Sequence, residues 1–348
     1  MGERPRPAAP ARPSPADGRA RPADGRSGDQ ERRSRARAGL ALGIGAYGWW
    51  GLLPLYLVLV RPAGSLEVIA HRLIWSALML AVIAAVTGQL RRLGRAFADP
   101  RGLAALTGAG LLLTVNWLVF VWAVLNGQLV DAALGYFINP LFSVLLGVFL
   151  LSERLRPGQW AAVGIGTVAV VVTASGAGSF PWVALTLALS FGFYGYIEKR
   201  VGGHLPAATS LAVETLVLAP VAAGYAIWLG VGGGASFGAA GPGHALAMVG
   251  LGAVTLVPLL LFNGAARRLP LSVVGMIQYL APVMQFTTGV VFFHEAMPGS
   301  RWAGFGIVWL ALIVLSAEGA WHAGAAKQVR AVRAVRAVRA VRRPRPGP

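Results

Sequence analysis

Ten stretches of this chain, each long, apolar and almost free of charge, decide what it can fold into. They run approximately 39–60, 67–87, 102–124, 131–152, 158–176, 180–199, 206–230, 244–265, 270–293 and 301–321. A helix of roughly 20 apolar residues spans a hydrocarbon layer about 30 Å thick, so each stretch is long enough to cross. Only helices and closed barrels satisfy their own backbone polar groups in lipid. The alternation of a barrel strand is absent here, which leaves helices. Most connections are short and leave little room for a soluble domain. The expected fold is an all-α integral membrane protein.

Charge supports this division. Charged residues are 13% of the 348, about half the share of a soluble domain. Ten of the 31 Lys and Arg lie in residues 1–37 and eight in 327–348, so the middle is poorer still in charge. Residues 1–38 are rich in Arg, Pro, Ala and Gly without apolar periodicity, which reads as a disordered basic tail. Residues 322–348 form a second basic tail. Basic tails beside spans set topology and touch anionic lipid, so nucleic acid is not the expected partner. With the N-terminus inside, the cytoplasmic connections hold Arg91, Arg92, Arg95, Arg101, Arg154, Arg156, Lys199, Arg200, Arg267 and Arg268. The outer side holds only Arg61 and Arg301. This bias places both termini in the cytoplasm of a cell membrane. An even number of spans is then required.

A shift of 142 residues lays the third to fifth spans on the eighth to tenth. Pro140 meets Pro282, Gly147-Val148 meets Gly289-Val290, and Glu153 meets Glu295. Trp160-Ala161 meets Trp302-Ala303, and Gly164 meets Gly306, all without a gap. Each half, 39–176 and 177–321, then holds five spans. Five is odd, so the second half enters the membrane inverted. Ten transmembrane helices as two five-helix inverted-topology repeats are an architecture of secondary transporters.

Several stretches carry a specific resemblance. They are Glu67-Val68-Ile69-Ala70-His71-Arg72, Asn116-Trp117 to Val130-Asp131, Leu134-Gly135-Tyr136-Phe137-Ile138-Asn139-Pro140-Leu141 and Leu151-Ser152-Glu153-Arg154-Leu155. Ile277-Gln278-Tyr279-Leu280-Ala281-Pro282 and Phe293-His294-Glu295 complete the set. Over about residues 39–320 the chain resembles the RarD proteins, in the EamA group of the drug/metabolite transporter superfamily. The resemblance implies ten spans, a small-molecule carrier of the cytoplasmic membrane, and export as its direction. It also implies a cavity formed by spans one to four and six to nine, with five and ten as scaffold.

Polar residues within spans are the candidate solute contacts, because an ionisable group in lipid is costly and usually serves function. Arg72 lies in the second span. Glu67, His71 and Trp75 recur at intervals of four and share one helix face. Glu214 lies near the middle of the seventh span, 142 residues after Arg72, so equivalent positions carry opposite charge and could pair. Asn116, Tyr136, Asn139, Gln278 and Tyr279 could line a polar path, with Asn263 and Gln285 nearby; helix-to-helix hydrogen bonding is their ordinary use. Pro140 and Pro282 each remove a backbone donor and mark candidate helix breaks at matching positions. Glu153 and Glu295 close spans and read as boundary contacts. Glu198, beside Lys199 and Arg200, reads as an interfacial charge cluster.

The remaining motifs are negative. Gly43, Gly45 and Gly48 match a dinucleotide fingerprint, but they sit inside an apolar span rather than between a strand and a helix. There is no phosphate-loop motif, no HExxH and no cysteine. No cofactor and no metal are expected, and no enzymatic activity. The expected function is secondary transport of a small metabolite or drug-like solute by alternating access. The expected partners are that solute and membrane lipids, with the proton as candidate coupling ion. The alternatives are an intramembrane lipid-modifying enzyme and a non-transporting membrane sensor.

Overall fold

A computed structural model describes residues 25–151, 155, 157–177, 180–201, 205 and 207–318. Among them there is no strand. Twelve helices follow in order: α1 Gly25–Val58, α2 Ser65–Val86, α3 Leu90–Ala98, α4 Pro100–Leu125, α5 Leu129–Leu151 and α6 Pro157–Ala177. Then come α7 Trp182–Val201, α8 Ala207–Val231, α9 Pro242–Ala266, α10 Leu271–Ile277, α11 Leu280–Thr287 and α12 Gly299–Glu318. A π turn, Thr288–Phe292, extends α11.

Among the described residues seven helices are long and apolar enough to cross a membrane: α1 from Ser34, α2, α4, α5, α8 from Ala208, α9 and α12. Pro157–Thr173 of α6 is apolar but shorter. α7 ends in Glu198, Lys199 and Arg200, and the ninth apolar stretch is divided between α10 and α11. The outer faces agree with a lipid surround. Val86, Phe149, Val221, Trp228, Leu246 and Ile313 are all exposed, a surface that water would not tolerate. The chain is a multi-pass membrane protein.

Local chemistry explains several boundaries. α3 is amphipathic: Arg91, Arg92 and Arg95 are exposed, while Ala96 is buried beside Leu106 and Val213. Gly88, at φ +68°, makes the turn before it, a conformation that suits glycine. Asp99 caps α4 by accepting from the Arg101 amide, and Pro100 fills the first helical position, where no donor is needed. α1 begins at Gly25, inside the stretch that composition assigns to a disordered tail, so that boundary moves; alanine and arginine there are good helix formers. The rest of both tails, and Glu153, lie outside the described residues.

The two prolines behave differently. α5 runs through Pro140 without interruption, which corrects the expected break there. Pro282 lies one turn after a junction at Gln278-Tyr279, where α10 gives way to α11. Its missing N–H leaves the Gln278 carbonyl without its helical partner.

Helices of the two sequence halves interleave. α1 packs against α9 and α11, and α7 against α4 and α5. α2 packs against α9, α8 against α4, and α2 and α8 against each other. Close approach depends on glycine. A Cβ on Gly252 of α9 would lie 2.9 Å from the Trp75 backbone of α2. One on Gly110 of α4 would lie 3.1 Å from the Glu214 Cβ of α8.

Candidate functional site

Arg72 is the most deeply placed charge of α2, only 3% exposed. Its Nε donates to Thr255 Oγ1 of α9 at 2.9 Å. The Thr255 hydroxyl in turn donates to the Leu251 carbonyl at 2.9 Å, which turns an oxygen lone pair toward the guanidinium. The guanidinium carbon sits 4.0 Å from the ring centroid of Trp117 on α4. A desolvated cation–π contact of this kind is worth about 2 kcal/mol. That contact covers one face of the planar group and leaves its edge available.

Tyr136 of α5 stands beside Arg72. Its hydroxyl donates to Asn116 Oδ1 at 3.1 Å. Asn116 is buried and donates to the Leu187 carbonyl at 3.0 Å and to Ser190 Oγ at 3.1 Å, both on α7. Arg72, Trp117, Asn116, Tyr136, Ser190 and Thr255 thus join α2, α4, α5, α7 and α9, helices from both halves. Sequence reading singles out Arg72, Asn116 and Tyr136 here. Thr255 and Ser190 escape it because a lone hydroxyl in a span ordinarily bonds its own helix.

Glu67, His71 and Trp75 do share a face, and it turns toward the connection between α8 and α9. Glu67 accepts from the Ser236 amide (2.8 Å), the Ser236 hydroxyl (2.9 Å) and the Phe237 amide (3.0 Å). Trp75 Nε1 donates to His71 Nδ1 at 3.2 Å, and His71 stacks on Phe237 with centroids 4.4 Å apart. That bond makes Nδ1 the acceptor, so a neutral ring carries its proton on Nε2. A cleft of about 360 Å³ lies at this end, lined by Ser65, Glu67, Trp122, Tyr225 and Leu229 among others. His71 and Trp75 both meet Phe237 of that connection.

Glu214 is 1% exposed, and among the described residues neither of its oxygens meets a donor. Its neighbours are Gly110 of α4 and, from α7, Glu198 and Tyr194. Ser210, one turn earlier on α8, is equally buried and stands beside Glu198. Glu198 is thus turned inward, away from the interfacial role its neighbours in sequence suggest. Among the described residues Arg72 and Glu214 form no ion pair; the guanidinium is held by Thr255 and Trp117.

The other candidates sit apart. Asn139 is buried, and among the described residues its side-chain oxygen meets no donor. Gln278 and Tyr279 flank the α10–α11 junction, where Tyr279 packs against the cluster of Val130, Leu134, Phe137 and Phe305. Gln285 donates to the Trp50 carbonyl at 3.2 Å.

A third polar group ties the start of α5 to the segment before α12. Glu295 accepts from the Leu129 amide at 2.6 Å and the Val130 amide at 2.9 Å. Arg301 pairs with Asp131 at 3.1 Å. Burial pushes the Glu295 carboxyl up; the two amides and Arg301 pull the other way without cancelling it.

Comparison with known proteins agrees with this layout. The sequence model of the EamA-like transporter family matches twice, over residues 37–175 and 180–317. A protein RarD of Streptomyces exfoliatus is 49% identical over 283 residues, covering 80% of this chain and 88% of that one. An uncharacterized transporter, PA0485 of Pseudomonas aeruginosa, is 42% identical over 290 residues, covering 82% and 95%. Another, YojE of Bacillus subtilis, is 40% identical over 271 residues, covering 77% and 89%. A crystal structure of a protein at 21% identity superposes with a TM-score of 0.53, covering 80% of this chain and 97% of that one, and shares the fold.

Proposed function

The chain belongs to the EamA-like transporter family, and from that premise we propose that it is a secondary carrier of a small metabolite or drug-like solute, working by alternating access. It has ten membrane helices in two inverted repeats, 39–176 and 177–321, with both termini in the cytoplasm of a bacterial cell. Export is the direction the resemblance to RarD proteins implies.

One observation carries this reading: the packing of one half on the other is preserved when the halves are exchanged. Exchange α1 with α7, α2 with α8, α4 with α9, and α5 with α11. The α1–α9 contact becomes α7–α4, α1–α11 becomes α7–α5, α2–α9 becomes α8–α4, and α2–α8 maps onto itself. The 142-residue register and the doubled family match support the same symmetry. Two equivalent halves packed this way can trade conformations, which opens a central site to one side and then the other. The cluster around Arg72 is the solute site. Glu214 with Glu198 is the site for a coupling proton: two touching carboxylates are acceptors only, and a proton between them turns repulsion into a hydrogen bond.

Efflux from liposomes containing the purified chain tests the carrier. Loss of specific solutes, beyond that from empty liposomes, is expected; no loss at any pH gradient defeats the reading. The cysteine-free sequence makes topology testable as well. A cysteine replacing Arg91 should react with an impermeant thiol reagent from the cytoplasmic side only, and one replacing Arg61 from the outside only.

A further inference from the structure

We infer that the carried solute bears a single carboxylate, and that the free edge of the Arg72 guanidinium receives it; this rests on the carrier reading above. Arg72 is almost wholly buried, and among the described residues only its Nε meets an acceptor. Among the described residues no acid serves as its counter-ion. Glu67, on the same helix, spends its carboxylate on Ser236 and Phe237. Glu214 lies against Glu198 and Gly110, and Asp131 pairs with Arg301. The remaining neighbours, Trp117, Thr255 and Tyr136, are neutral.

A buried cation without an anion is unstable, and a guanidinium does not shed its proton to escape. Binding a solute anion supplies the missing charge. The geometry also selects the anion. Thr255 holds Nε and Trp117 covers a face, so the two terminal nitrogens are presented side by side, the fork that a carboxylate matches with two parallel bonds. One guanidinium brings one positive charge, which suits a monoanion and leaves a phosphate dianion half neutralised. Trp117 and the Phe120–Tyr136 ring pair, with centroids 5.8 Å apart, set aromatic rings beside the polar groups.

The test uses liposomes holding the full chain and loaded with the small-molecule extract of a bacterial cytosol, with the released compounds identified by mass spectrometry. Compounds released through the wild-type chain should be monocarboxylates. Arg72→Gln should slow their release by about 30-fold or more, the usual effect of deleting one partner of a buried charge pair. Arg72→Lys should retain part of it. A check on the wild-type chain alone avoids any folding defect: the amide of each exported acid, equal in shape but uncharged, should stay inside. Release of neutral or cationic compounds, or of the amide as fast as the acid, overturns the carboxylate assignment and leaves the carrier standing. Release of nothing overturns the carrier as well.

Discussion

Arg72 of α2 and Thr255 of α9 are joined by a 2.9 Å hydrogen bond that fastens the first half of the sequence to the second. Thr255→Val keeps the shape and removes the acceptor. Hydrogen bonds to charged groups are worth about 1.5–3 kcal/mol, so the variant should lose roughly that much stability. Thr255→Ser should retain most of it. Thermal unfolding of both variants in detergent measures the difference; equal melting of valine and serine variants would show that the bond contributes nothing.

Arg72 and Glu214 lie 142 residues apart and carry opposite charge, yet each has its own neighbours. Exchange of the two, Arg72→Glu with Glu214→Arg, should therefore be no better than either single change. Efflux by the three variants decides the matter. Recovery in the double variant would mean that the two side chains meet during the cycle.

What the sequence reveals here follows from what a membrane demands. Among the described residues each of the ten apolar stretches falls largely on helix, and seven of the helices are long and apolar enough to cross a membrane. Packing partners are less legible. Exchange symmetry could be suspected from Pro, Glu and Trp at one offset, but the pairing of α2 with α8 depends on helix faces that are apolar all round. Helix continuity was legible only in part: Pro140 and Pro282 look alike in sequence, and only the second adjoins a break. At the site, Arg72, Asn116 and Tyr136 declare themselves as polar groups in lipid. Thr255 does not, since its role depends on a neighbour 183 residues away. Glu198 misleads for a related reason: Lys199 and Arg200 beside it suggest an exposed end, while its helix face points at Glu214.

Gly252 permits the contact of α9 with α2. A methyl group there would meet backbone of Trp75 at 2.9 Å, and backbone cannot swing aside as a side-chain tip can. Gly252→Ala should cost about 1–3 kcal/mol, the range for overpacking. Gly306→Ala on α12 is the control, since nothing lies within 4 Å of its added carbon. It should be neutral or stabilising by up to about 1 kcal/mol, the helix preference of alanine over glycine. Unfolding in detergent should separate the two; a harmless Gly252→Ala would show that the helices have room to part.

Glu214→Gln removes the group that would share a proton with Glu198. If the pair couples transport, wild-type efflux should respond to an imposed pH gradient, and the variant should not. Exchange of labelled for unlabelled solute, which needs no gradient, should persist in the variant. A variant that still follows the gradient would remove Glu214 from coupling.

Glu295 provides a prediction whose sign depends on pH. Its carboxylate accepts from two amides at the start of α5, but burial outweighs them and its folded pKa is raised. A raised carboxyl favours the protonated form in the folded state. Its contribution to stability is complete below the unfolded value, about 4.3 for Glu, and is lost as pH rises through the folded value. Glu295→Gln keeps one acceptor and cannot ionise. The variant should therefore match wild type closely at acid pH, where Glu295 is neutral as well, and gain on it as pH rises and wild type ionises. Melting temperatures of the two proteins, taken in one detergent across a pH series, give the difference directly. A wild type that gained on the variant as pH rises would mean that the amides of Leu129 and Val130 hold the carboxylate more strongly than burial opposes it, and that this end of α5 is fastened by charge.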